Sequence, residues 1–124
     1  MRNLVIAAII LSTAGVVTAR ERNAVPDATP AGDAISCVSL RSIRSTQVHD
    51  DSTIDFHMNG GKIYRNTLPN SCPSLGFEER FLYKTSLSQL CSVDIITVLQ
   101  SPGLSQGASC GLGTFQPVKL ATTR

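Results

Sequence analysis

Five side chains able to ligate a metal or move a proton crowd into nine positions: His49, Asp50, Asp51, Asp55 and His57. Imidazoles and carboxylates are common metal ligands. Asp55 and His57 lie two residues apart, so on an extended strand they share one face and could hold one ion between them. His49 stands eight residues from His57, about 26 Å along extended chain, and joins them only if a hairpin folds it back. A solvated strand face followed by a polar turn explains the same residues without an ion. Asp55 and His57 are therefore weak metal candidates, and no cofactor is expected.

Three arginines form the second group. Arg41, Arg44 and Arg65 would fall on neighbouring strands, where guanidinium groups grip an anion or a partner protein. They can equally pair with Asp50, Asp51, Asp55 or Asp94, and structural ion pairing is the simpler reading. The pattern Gly103-Leu104-Ser105-Gln106-Gly107 has the form G-x-S-x-G. A nucleophile elbow holds its serine on a sharp strand-to-helix turn, with its acid and base following in the chain. Here Gly, Ser and Cys follow, no helix opens, and no Asp, Glu or His lies beyond Ser105. Gly111-Leu112-Gly113 is half of a dinucleotide-binding glycine pattern whose third glycine would fall on Gln116, so it reads as a turn. No residue is assigned a catalytic role.

Four cysteines remain: Cys37, Cys72, Cys91 and Cys110. How they read depends on the compartment, and the N-terminus supplies it. Met1-Arg2-Asn3 carries one positive charge, residues 4–17 are almost unbroken apolar chain, and Val17-Thr18-Ala19 puts small residues before a cut after Ala19. That order is a secretory signal peptide over residues 1–19. The apolar run is shorter than the roughly 20 residues a spanning helix needs, and no later stretch reaches that length. The expected location is exported: periplasmic in a Gram-negative cell, or secreted. In that compartment an even number of cysteines reads as disulfides. Zinc would need close cysteine pairs, whereas the spacings here are 35, 19 and 19 residues. Three connectivities are open; the nested pair Cys72–Cys91 with Cys37–Cys110 is the working expectation. Without Arg2 the chain keeps ten basic and nine acidic residues, too balanced a charge to argue for nucleic acid or a membrane surface.

The elements that must position these groups are mostly strands. Residues 20–36 contain Pro26, Pro30 and Gly32 without periodicity and read as a disordered linker. Residues 37–120 read as a single β-rich domain, followed by a tail at 121–124. Val38-Ser39-Leu40 alternates, then Ile43 breaks the phase, which signals a bulge or short turn. Residues 45–48 extend, and His49-Asp50-Asp51-Ser52 has turn chemistry. Thr53-Ile54-Asp55-Phe56-His57-Met58 alternates, with Ile54, Phe56 and Met58 inward and Thr53, Asp55 and His57 outward. Asn59-Gly60-Gly61 is a hairpin turn. The returning strand faces inward either with Ile63 or with Tyr64 and Leu68. Residues 81–85 read as a strand and Ser86-Leu87-Ser88-Gln89 as one helical turn. The run Ile95-Ile96-Thr97-Val98-Leu99 reads as a strand buried on both faces. The Gly- and Ser-rich residues 101–113 read as loop. The last strand, 114–120, is pushed to a sheet edge by Pro117. The expected fold is mainly β: a small closed or half-closed antiparallel barrel of about six strands with one short helical turn, stapled by disulfides.

The runs Thr53-Ile54-Asp55-Phe56, Tyr64-Arg65-Asn66, Leu90-Cys91-Ser92-Val93-Asp94 and Cys110-Gly111-Leu112-Gly113 resemble an uncharacterised family of small exported proteobacterial proteins with four cysteines. The likeness covers residues 37–118. It implies export and one compact domain, and brings no catalytic residue, ligand or partner. Two function classes remain. A non-catalytic binding module of the cell envelope, contacting an envelope or secreted protein, predicts an exposed apolar patch and no deep polar pocket. A small periplasmic hydrolase or metal-dependent enzyme predicts a cleft with convergent titratable groups. The shortage of such groups points to the first class.

Overall fold

The structure is a computed structural model that describes residues 25–85 and 87–121. The predicted signal peptide, residues 20–24 of the predicted linker, Ser86 and residues 122–124 lie outside the described residues.

The alternating stretch forms as expected. Thr53–Met58 is strand β4, and Ile54, Phe56 and Met58 are buried. β4 turns through Asn59-Gly60-Gly61 into β5, Ile63–Thr67. Gly60 and Gly61 both adopt positive φ, at 89° and 88°, a region that favours glycine. The turn sets Phe56 opposite Tyr64 and Ile54 opposite Asn66, so the inward set is Tyr64, Asn66 and Leu68. On the other side of β4 lies β3, Ile43–Asp50. The phase break at Ile43 is real: a 3-10 turn over Leu40–Ser42 precedes it, and a register shift falls between Ile43 and Ser45. β10, Phe115–Leu120, pairs with β5, and β1, Ala28–Pro30, pairs with β10. The result is a five-stranded antiparallel sheet in the order β1-β10-β5-β4-β3.

Two smaller sheets complete the fold. β2, Cys37–Ser39, pairs with β7, Gln89–Cys91. β6, Phe81–Tyr83, β8, Ile95–Gln100, and β9, Ser105–Gly111, form a three-stranded sheet in the order β6-β8-β9. Between β5 and β6 the chain makes a corner and a four-residue helix, α1, Leu75–Glu78. All three sheets and α1 share one core, which includes Val38, Phe56, Leu75, Leu90, Ile96, Val98 and Phe115. Phe56 sits at its centre, edge-on to Phe115 at 5.3 Å and to Phe81 at 6.4 Å between ring centroids. Such contacts add about 0.5–1.5 kcal/mol beyond the burial itself.

Several expectations need correction. The sheets do not close into a barrel: the corner and α1 break the ladder between β5 and β6. Part of the predicted linker is a strand, because β1 finds the open side of β10. β10 is consequently an inner strand, and Pro117 is tolerated where its carbonyl accepts from the Ala31 amide at 2.8 Å. Among the described residues 87–89 no helical turn is present; Ser86, where the expected turn would begin, lies outside them. Thr85 Oγ1 accepts from the Leu87 amide and donates to the Gln89 carbonyl, and Gln89 enters β7. The Gly- and Ser-rich segment is not all loop, since β9 pairs along β8, with Thr97 Oγ1 and Ser109 Oγ 2.9 Å apart. β8 is buried on one face only: Ile96 and Val98 are inside, and Ile95 is exposed.

The disulfides also differ from the nested expectation. Cys37 and Cys91 face each other directly across β2 and β7, with Cα atoms 4.0 Å apart, and are bonded. The corner carries Cys72 against Cys110 on β9, with Cα atoms 5.8 Å apart, and these form the second bridge. Strand pairing, which spacing did not reveal, decides the connectivity. All four cysteines are bridged.

Candidate functional site

The titratable cluster is organised by the β3–β4–β5 hairpins. Asp55 on β4 lies directly opposite Arg65 on β5. A second register shift on β3, between Val48 and Asp50, turns His49 toward Asp55. Arg65 Nε donates to Asp55 Oδ1 at 2.8 Å and Arg65 Nη2 donates to Asp55 Oδ2 at 3.0 Å. His49 Nε2 donates to Asp55 Oδ2 at 2.8 Å. The hairpin thus folds His49 back, but to Asp55 and not to His57. Asp55 is on the outward side of β4 as expected, yet it is fully buried.

Burial alone would push the Asp55 carboxyl upward. The hydrogen bonds from Arg65 and His49, with the Arg65 charge, outweigh burial and hold it below the ordinary carboxylate value. Its carboxylate in turn raises Arg65. A fork of two parallel N–H···O bonds is the strongest common geometry for such a pair. Three hydrogen bonds already engage both oxygens of Asp55. Among the described residues no group of three or more His, Cys, Asp or Glu is placed to hold one. His57 stays apart on β4, half-buried and across from Ser45 and Ile63. Neighbouring carboxylates are also committed to the backbone. Asp50 Oδ1 accepts from the Ser52 amide at 2.8 Å and Asp51 Oδ1 from the Gly76 amide at 2.7 Å, which ties α1 to the β3–β4 turn.

The three arginines do not converge. Arg65 belongs to the Asp55 pair and is not an open anion or partner contact. Arg41, in the 3-10 turn, and Arg44, on β3, are exposed and form no ion pair among the described residues. Ser105 opens β9 and has no histidine or carboxylate hydrogen-bonded to it among the described residues. Nothing resembling a strand–turn–helix elbow surrounds it.

A different surface emerges instead. On the outer face of the β6-β8-β9 sheet an open groove of about 370 Å³ runs past Leu82, Val93 and Ile95, with Lys84 and Asp94 also lining it. Val93 is 86% exposed and Ile95 56%. Leu82 stands directly opposite Thr97, two residues along β8 from Ile95, so the apolar side chains are neighbours on one face. Sequence reading missed this surface because Ile95 sits in a run of apolar residues. Thr97, two residues on, was the available signal: it marks the odd-numbered side of β8 as the outer one. Also missed was Asn66, fully buried, whose side chain accepts from the Gly113 amide and donates to its carbonyl, both at 2.8 Å.

No helix among the described residues is long and apolar enough to cross a membrane. No family model, curated protein or solved structure matches this chain.

Proposed function

We propose that this chain is an exported, non-catalytic binding module of the cell envelope. Its contact face is the outer face of the β6-β8-β9 sheet. The observation that carries the reading is the pairing of Val93 and Ile95, both well exposed, with Leu82 around one open groove. Apolar side chains grouped in the open are a cost in water that a partner's apolar surface removes. Lys84 and Asp94 in the groove lining supply charges of both signs, which orient a protein partner more than they add affinity. The fully bridged cysteines are compatible with an oxidising location. His49, Asp55 and Arg65, by contrast, satisfy one another and present no convergent groups to a substrate. The resemblance to small exported proteobacterial proteins belongs to the same proposal, and the signal-peptide pattern of residues 1–19 predicts an N-terminus at Arg20 on the exported form.

The test compares the mature protein with its Ile95→Asp variant as baits in periplasmic extract. The expected result is one envelope protein retained stoichiometrically by the wild type and at least about tenfold more weakly by the variant, with the melting temperature unchanged. Equal retention by both baits would overturn this face. Turnover of ester, phosphate or glycoside test substrates, lost on His49→Ala or Asp55→Ala, would overturn the non-catalytic reading.

A further inference from the structure

The edge of the five-stranded sheet carries a second surface. β3 is the edge strand beyond β4, and at eight residues it is the longest strand among the described residues. Edge strands expose unpaired backbone groups, and proteins usually protect them by making them short or by placing Pro or Lys on them. The opposite edge follows that rule, since β1 has three residues and ends in Pro30. β3 does not: residues 44–47, Arg-Ser-Thr-Gln, are all exposed. Its two register shifts lie at its ends, between Ile43 and Ser45 and between Val48 and Asp50, and leave residues 45–48 in regular pairing.

The hydrogen-bond phase shows which groups face out. The Met58 amide donates to the Lys62 carbonyl, so Met58 directs its backbone toward β5. In an antiparallel strand every second residue does the same, so Phe56 and Ile54 also bond toward β5. Their partners on β3, Thr46 and Val48, therefore turn their own N–H and C=O groups to the open edge.

We propose that β3 pairs antiparallel with β3 of a second copy of this chain, about a two-fold axis at Gln47. That register places Thr46 of each copy opposite Val48 of the other, which are the residues whose backbone groups point outward. It supplies about four inter-chain hydrogen bonds and extends the sheet across the dimer. It also brings Arg44 of each copy beside Asp50 of the other. Arg44 makes no ion pair among the described residues; Asp50 lies within electrostatic reach of Arg65, but among the described residues its side chain hydrogen-bonds only through Oδ1, to the Ser52 amide. Shifting the two-fold by one residue in either direction separates these charges. Parallel pairing sets Arg44 against Arg44 and Asp50 against Asp50, which is unfavourable. One symmetric contact thus satisfies both the backbone and the charges, as a two-fold interface must. The proposal uses a different face from the β6-β8-β9 groove, so the two can fail separately.

Sedimentation of the disulfide-intact protein over a range of concentration tests it. The wild type is expected to form a dimer that weakens as salt rises. Arg44→Glu and Asp50→Arg should each weaken dimerisation about tenfold or more, since each sets two like-charge pairs in place of two ion pairs. Arg44→Glu combined with Asp50→Arg should restore it. Thr46→Pro, which removes an outward N–H without touching the β4 ladder, should give a monomer with near wild-type melting. A wild type that stays monomeric at high concentration, a dimer indifferent to Thr46→Pro, or a charge-swapped double variant no tighter than the single ones would overturn the proposal.

Discussion

Asp55 is the residue on which the outer side of the five-stranded sheet depends. It accepts three hydrogen bonds, two from Arg65 and one from His49, while fully buried. Asp55→Ala leaves both donors without a partner and is expected to cost about 3 kcal/mol, measured by denaturant unfolding at neutral pH. The pH dependence follows from the sign of the shift. The folded-state pKa lies below the unfolded value of about 3.8, so the contribution is complete above the unfolded value. It is lost as pH falls through the folded one. Stability of the wild type should therefore drop more steeply below pH 4 than that of Asp55→Ala. Gly113 is the second sensitive position. A Cβ there would run into the Thr67 carbonyl, while its own amide and carbonyl are held by Asn66. Gly113→Ala should cost about 1–3 kcal/mol and lower the melting temperature without changing the disulfides. The sequence displayed Asp55 and Arg65 as candidates, but their meeting depends on strand register. Nothing in the sequence pointed to Asn66, because a buried amide paired to a backbone 47 residues away leaves no local trace.

At the scale of elements, local patterning was readable and non-local pairing was not. β4 announced itself by alternation and the β4–β5 turn by its glycines, since both are set within a few residues. β9 looked like loop because glycine and serine are poor strand formers, and it is a strand because β8 lies beside it. The same limit applied to the cysteines, whose pairing follows from which strands meet. Non-reducing peptide mapping should recover Cys37 with Cys91 and Cys72 with Cys110. Loops with separations of 54 and 38 residues each correspond to about 4 kcal/mol in the chain-entropy picture. Replacing either pair by alanines should therefore lower stability by about 2–5 kcal/mol in thermal unfolding. A smaller loss for both pairs would mean that the core around Phe56 holds the fold without them.

At the scale of the molecule, the described residues form three antiparallel sheets around one core, with the sheets left open. A closed barrel would have removed the free edges; here, among the described residues, β3 has no strand on its outer side and the outer face of β6-β8-β9 is open. A dimer through β3 would carry two copies of the groove and bind a multivalent partner more tightly than one copy does. Composition placed the chain in the right broad class: mainly β, small and disulfide-bonded. It could not show which apolar residues would stay in water, because that depends on what covers each face. In the proposed reading the β6-β8-β9 face, and not another exposed apolar point, meets the partner. Phe77 on α1 is 84% exposed and lines a different hollow, so it serves as an internal control. Hydroxyl-radical footprinting of the protein with its captured partner should show protection at Leu82, Val93 and Ile95 and none at Phe77. Protection at Phe77 with Val93 and Ile95 still reactive would contradict the account.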